Sequence, residues 1–178
     1  GPLGTGASIS VTTLSAGAHT ITASVSDQRG RAAVASRGVT VLPSTLTMPV
    51  VADSAIYDFG PDTNYGSALF LYGDTDTPRA QSFMRFLVAG TAGLKVRHAV
   101  LRMTVYWYPT SGSVAGGTIH SVADNIWNER TITWNHHPAV DAPILASAGV
   151  VVPGQSVDFD VTSAVHGDGP VSFALVPT

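Results

Sequence analysis

The chain has 178 residues, of which 44 % are hydrophobic and only 12 % charged, with 18 glycines and a formal net charge of −3. That balance gives apolar material for a sizeable core, and without any Lys/Arg run it excludes a phosphate-tracking nucleic-acid groove. The absence of cysteine excludes a disulfide scaffold and thiol chemistry and leaves the redox compartment open, and no apolar run approaches the ~18 residues of a membrane span.

In chain order, Gly1-Pro2-Leu3-Gly4 reads as the remnant of a cleaved expression tag, so the missing leader says nothing about localisation. Residues 5–43 read as a β arm of two or three strands. Ile9 to Thr12 alternates, Ile21 to Ser26 follows a turn, Asp27-Gln28-Arg29-Gly30 makes a hairpin turn, and Val34 to Val41 returns. The arm is expected to dock on the next domain or to pair along an edge with another copy. Leu42-Pro43-Ser44 is the linker. Three arginines against one aspartate precede it, a balance of +2, whereas six Lys/Arg against eleven Asp/Glu follow, a balance of −5.

Residues 44–178 carry short alternating segments with turn signals about every ten residues and no helical period. The expected strands are 46–51, 54–58, 68–73, 82–88, 97–108, 117–122, 131–134, 144–151, 157–161 and 171–176. The fold class is therefore all-β: an antiparallel β-sandwich of jelly-roll type with an N-terminal β arm. Ile119 to Pro138 organises the second part, because it holds Trp127, Trp134 and the only glutamate, Glu129. There an Ile-Trp-Asn-Glu turn leads into a short strand, Thr131 to Trp134, which stops at Asn135-His136-His137-Pro138.

Several of these stretches together resemble a known family. They are Val51-Ala52-Asp53-Ser54-Ala55-Ile56-Tyr57 with Pro61-Asp62-Thr63-Asn64-Tyr65-Gly66, then Gln81 to Phe86, then Val96 to Val105, then Trp127-Asn128-Glu129 with Ile132-Thr133-Trp134-Asn135 and Pro138, and finally Asp160-Val161-Thr162 with Val171 to Leu175. Over about 125 residues, in this order, they resemble the DNRLRE domain, carbohydrate-binding module family ninety-six. The arm resembles the last strands of a bacterial immunoglobulin-like repeat. The first resemblance implies a secreted or cell-surface β-sandwich module without catalysis of its own, joined to polysaccharide-degrading enzymes or surface proteins, with alginate-type glycans among the ligands. The implied partners are an extracellular polysaccharide and the neighbouring modules of a parent chain, with no nucleic acid and no membrane span.

The strand faces supply candidate residues. Along Ala99 to Tyr108, Leu101, Met103, Val105 and Trp107 share the expected core face, and Arg102, Thr104, Tyr106 and Tyr108 share the wet one. Along Ser82 to Val88, Met84, Phe86 and Val88 point inward and Phe83, Arg85 and Leu87 outward. One outer face would then gather Tyr106, Tyr108, Arg102, Arg85 and Phe83, with His136 or His137 lining a site at the Asn-His-His-Pro corner. Aromatic rings suit the flat C–H faces of pyranoses, and arginine forks match uronate carboxylates. The same residues also allow a purely structural arrangement, with Arg85 and Arg102 cross-linking to Asp158 and Asp160 and the tyrosines packed beneath the arm.

Asp53, Asp58, Asp62 and Asn64 cluster around one turn and allow a structural Ca²⁺, which takes about six to eight oxygen ligands; Asx-turns explain the same residues without metal. His136 and His137 face opposite sides of an extended chain, so one ion cannot easily use both. A glycosidase needs two carboxylates about 5–10 Å apart across a cleft, whereas Glu129 sits in the anchored Trp127 to Trp134 corner, where a carboxylate commonly accepts backbone N–H groups, and no nucleophile-elbow, zincin or P-loop motif occurs. The expected function is non-catalytic polysaccharide binding that holds a secreted multidomain protein on an extracellular glycan, with uronate-rich glycans among the candidates. The alternative is a structural or adhesive spacer of a bacterial cell-surface protein.

Overall fold

A computed structural model describes residues 1–76 and 78–178, and the chain divides into two compact units, Gly1–Thr47 and Met48–Thr178. In the first unit, strands β1 (Gly17–Ser26) and β2 (Ala32–Val41) form an antiparallel hairpin in unbroken register from Gly17↔Val41 to Ser26↔Ala32. Its turn is closed by Asp27. One carboxylate oxygen accepts the backbone N–H groups of Arg29 and Arg31, and the other accepts Nε of Arg31 at 2.7 Å. Gly30 takes a φ of 77°, which a residue without Cβ adopts freely. The alternating stretch Ile9 to Thr12 forms no strand, so the expected third strand of the arm is absent among the described residues.

In the second unit the described residues form seven strands in two antiparallel sheets. They are β3 (Val50–Tyr57), β4 (Ala80–Val88), β5 (Val100–Thr104), β6 (Gly117–Val122), β7 (Ile144–Ala148), β8 (Ser156–Asp160) and β9 (Gly169–Val176). The larger sheet runs β3-β4-β9-β6-β7 and the smaller pairs β5 with β8. The architecture is thus an all-β antiparallel sandwich. The stretches 46–51 and 54–58 are not two strands; residues 50–57 make one, with a bulge between Val50 and Ala52. Residues 68–73 and 131–134, both expected as strands, are irregular.

The five-stranded sheet is buried on both faces. On one, Met84, Ile119 and Phe173 meet Leu101 and Phe159 of the smaller sheet. On the other, Ala52, Ile56, Phe83, Val122 and Ala174 are covered by Trp127 and Ile132 of the irregular segment between β6 and β7. Phe83 is 0 % exposed and its chain neighbour Met84 only 3 %. The expectation that Phe83 faces outward is therefore corrected. Period-2 reading assumes that one face of a strand is wet, and here a loop with an indole supplies a second core. Burying a phenyl ring of this kind contributes about 1.5–3 kcal/mol.

The indole Nε1 of Trp127 donates to Oγ of Ser172 at 3.1 Å, which satisfies its only polar atom inside this second core. Arg85 reaches the same loop. Its Nη1 donates to the carbonyls of Trp127 at 2.6 Å and Asn125 at 3.1 Å, and its guanidinium lies 5.4 Å from the Trp127 ring centroid. The two motifs Pro61 to Gly66 and Trp127 to Asn135 dock on each other. Asn64 Nδ2 donates to the carbonyls of Glu129 and Ile132, the N–H of Asn135 donates to the carbonyl of Pro61 at 2.9 Å, and a Glu129 carboxylate oxygen accepts the N–H of Asp53 at 3.2 Å. Gly66 is needed at this contact, because a Cβ there would overlap the Glu129 carbonyl.

Candidate functional site

Strand β5 ends at Thr104, and the chain leaves the sheet one residue later. The Val105 N–H still donates to the carbonyl of Gln155 and the Val105 carbonyl still accepts from Gly154, but nothing extends the pairing through Tyr106 to Tyr108. The alternation that put Trp107 in the core therefore stops before reaching it. Trp107 is 69 % exposed, a reversal of the expectation, while Tyr106 and Tyr108 are 40 % and 53 % exposed. Tyr106 and Tyr108 line a groove.

The groove has a volume of about 570 Å³, within the ~300–1,000 Å³ typical of small-ligand clefts. Its floor is the end of the smaller sheet at Met103, Val157 and Phe159; its walls are the irregular segment around Phe70 and Tyr72, the stretch after Tyr106, and the chain near Leu175. The rings of Phe70 and Tyr106 touch, tilted by 48° with 4.3 Å between centroids, and the Trp107 ring lies 5.4 Å from that of Tyr106.

Tyr72 is held from behind. Its ring is 5.6 Å from that of Tyr57, which is itself packed against Tyr65 at 4.6 Å. Burial pushes the Tyr57 phenol up, with Tyr72 and Tyr65 adding to the effect, so it stays protonated. The backbone of Tyr72 is clamped by Ser82 of β4, whose buried hydroxyl accepts the Tyr72 N–H at 2.8 Å and donates to the Tyr72 carbonyl at 2.7 Å. Expecting a strand at 68–73 concealed Phe70 and Tyr72 as groove residues. An Asp-turn signal just after them, at Gly73-Asp74, was the available cue.

The six candidate ligand residues fall in different places. Tyr106 and Tyr108 line the groove. Phe83 is sealed in the core, and Arg85 is committed to the Trp127 loop. Arg102 sits on the outside of the smaller sheet directly opposite Asp158, and its Nε and Nη2 fork onto that carboxylate at 2.6 and 2.7 Å. That is the cross-link the sequence allowed for Arg102. The fork holds the Asp158 carboxyl below its usual range. Arg85 makes no such pair with Asp160.

His136 lines a separate polar cavity of about 210 Å³ at the corner, beside Asp124, Trp127, Thr131 and His137. Its Nδ1 is 4.0 Å from Asp62. His137 borders the same cavity, and its ring is tilted by 42° against that of Phe83 with 5.4 Å between centroids.

The suggested calcium ligands do not converge. Asp58 takes Arg79, accepting its Nε at 2.8 Å and its backbone N–H at 2.9 Å. Asp62 accepts Asn135 Nδ2 at 2.9 Å, and the amide of Asn64 is spent on two carbonyls and the Gly66 N–H. Asp53 lies by Glu129, and burial followed by the Glu129 charge raises its pKa. Among the described residues no group of three or more His, Cys, Asp or Glu is arranged to hold a metal ion. Asp58 and Asn64 spend their side-chain oxygens on protein donors, and Asp62 spends one of its two on Asn135, so these four residues do not form the convergent oxygen cage that Ca²⁺ takes. No helix of the described residues is long and apolar enough to cross a membrane.

No curated protein matches the chain. The model of carbohydrate-binding module family 96 matches residues 44–178, a span that includes the whole second unit. The two docked motifs and the loop-covered sheet described above lie inside that match, and the chain belongs to carbohydrate-binding module family 96.

Proposed function

We propose that the second unit binds a polysaccharide in the groove walled by Phe70, Tyr72, Tyr106 and Tyr108, and so holds a larger secreted protein, one with a polysaccharide-degrading activity elsewhere in its chain, on an extracellular glycan. The observation that carries this reading is the set of exposed rings around one cleft in a carbohydrate-binding module. Solvent-exposed aromatic surface of this extent is costly unless it meets a partner, and pyranose C–H faces supply one. Tyr72 is fixed before binding by Tyr57 and Ser82, which lowers the ordering cost of association at that ring. Tethering then raises the effective concentration of an attached enzyme at its polymer without any chemistry in this module.

Affinity electrophoresis through gels carrying single polysaccharides tests the reading. The wild-type chain is expected to be retarded in at least one gel, and a Tyr106→Ala, Tyr108→Ala double variant with an unchanged circular dichroism spectrum is expected to run freely. A wild-type chain that runs freely through every polymer contradicts it and leaves a spacer. Retardation that the double variant keeps moves the site away from the groove.

A further inference from the structure

We infer that the polysaccharide site continues past the groove onto Trp107, so that the ligand is an extended chain, long enough to fill the cleft and run on over this indole. The inference rests on the groove being the polysaccharide site. Trp107 does not line the groove, yet its ring lies 5.4 Å from that of Tyr106 and 6.2 Å from that of Tyr108, both of which do. At 69 % it is also more exposed than either of them or than Phe70 and Tyr72. A lone exposed indole needs no explanation. This one prolongs a run of contacting, exposed rings from Phe70 through Tyr106 to Tyr108, and a contiguous apolar patch of that kind marks a binding surface.

The backbone that carries Trp107 is pinned. Residues 106–112 form a loop whose two feet stand on one short segment, 151–155. At the first foot the Val105 N–H donates to the carbonyl of Gln155 at 2.8 Å, and the Val105 carbonyl accepts the Gly154 N–H at 3.1 Å. At the second, Ser113 and Val151 exchange both backbone bonds, at 3.0 and 2.8 Å. The supporting segment is itself a closed turn: the Gln155 N–H donates to the Val152 carbonyl at 3.1 Å, and Gln155 Oε1 accepts the Val152 N–H at 2.9 Å. Inside the loop the Ser111 N–H closes onto the Tyr108 carbonyl at 2.9 Å. A loop with adjacent, anchored ends and an internal turn has little backbone freedom left to lose, so it presents its rings at a low ordering cost. The indole offers a flat apolar face to pyranose C–H bonds and an N–H donor to a sugar hydroxyl. The groove by itself, at about 570 Å³, has the size of a small-ligand cleft. A stacking surface just outside it serves a chain that leaves it.

The test titrates the whole chain with trisaccharides and hexasaccharides of mannuronate, galacturonate, cellulose and xylan, by calorimetry and by indole fluorescence. At least one hexasaccharide is expected to bind, and more tightly than its trisaccharide. Trp107→Ala is expected to keep the wild-type unfolding midpoint, to weaken that hexasaccharide about three- to tenfold, the worth of one aromatic contact, and to leave the trisaccharide within about twofold. Trp127 is 7 % exposed and Trp134 half-buried, so the emission that acrylamide quenches comes chiefly from Trp107. The hexasaccharide is expected to shift that emission to the blue and to shield it from acrylamide. Trp107→Phe, which keeps an aromatic face, is expected to abolish both signals and to bind within about threefold of wild type. Equal weakening of both sugars in Trp107→Ala would make the indole a support for Tyr106 and overturn the inference. A hexasaccharide that binds wild type and Trp107→Ala alike, with no change in emission, overturns it too; in both cases the groove stands. Failure of the wild-type chain to bind any of these probes overturns the groove as the site, and the inference with it.

Discussion

Asn64 Nδ2 donates to the backbone carbonyl of Glu129 at 2.6 Å across 65 residues of sequence, and the same nitrogen reaches the carbonyl of Ile132 at 2.7 Å. One side-chain amide thereby pins the loop after β3 to the corner that covers the larger sheet. The bond explains why Pro61 to Gly66 and Trp127 to Asn135 are the most distinctive stretches of the sequence although neither lines the groove: they close the second core. Asn64→Ala is expected to destabilise the chain by about 1–3 kcal/mol, because two part-buried carbonyls lose their donor. Urea unfolding measures this, and a midpoint equal to wild type would show that the clasp contributes nothing. Glycan affinity below the unfolding transition is expected to be unchanged.

Asp53 gives a pH signature. Its carboxyl pKa is raised, first by burial and then by Glu129. A carboxyl raised on folding binds its proton more tightly in the folded state, so this group favours folding at low pH. The advantage is lost as pH climbs from about 4 through the raised value. Asp53→Asn is therefore expected to have a higher melting temperature than wild type at pH 7 and the same one at about pH 3. A gain of equal size at both pH values would assign the effect to something other than the charge.

Phe83 and Tyr106 separate core from groove. Phe83→Ala is expected to cost about 3–5 kcal/mol of stability, since the ring is fully buried against Trp127. Tyr106→Ala should leave the unfolding midpoint within about 0.5 kcal/mol and remove binding. The reverse pattern, a stable Phe83→Ala variant that fails to bind, would restore the outward placement of that ring.

Ser82 is a positioning residue. Its hydroxyl is the partner of both the N–H and the carbonyl of Tyr72. Ser82→Ala is expected to weaken glycan binding several-fold and to speed amide hydrogen exchange at Tyr72 specifically, while Ser82→Thr, which keeps the hydroxyl, restores part of the affinity. Weaker binding with unchanged exchange at Tyr72 would mean that the clamp does not act through that ring.

Much of this was legible before any coordinates. The strands expected at 82–88, 117–122, 157–161 and 171–176 fall on β4, β6, β8 and β9, and the motif set marks the family. What misled was parity carried too far. Trp107 follows the period of Leu101 and Met103 on paper, but the strand ends at Thr104, and beyond that point alternation says nothing about burial. Phe83 failed for a different reason. Its face is covered by residues 40 or more positions away in a loop of no regular structure, and no local pattern announces such a lid. Phe70 and Tyr72 sit in a stretch apolar enough to imitate a strand, yet the Tyr72 backbone is held by Ser82 rather than by a ladder. The acidic turn imitated a calcium loop because aspartates that cap turns and aspartates that bind cations look alike until their partners are known.

The most direct check on the central claim is nitrogen-15 chemical-shift mapping of the labelled chain titrated with a soluble oligosaccharide of whichever polymer retards it. The largest shifts are expected at Phe70, Tyr72, Tyr106 and Tyr108, with those of Trp127 to His137 and of Arg102 near zero. Shifts concentrated at the His136 corner or along the outer face of β5 and β8, with the groove silent, would contradict it.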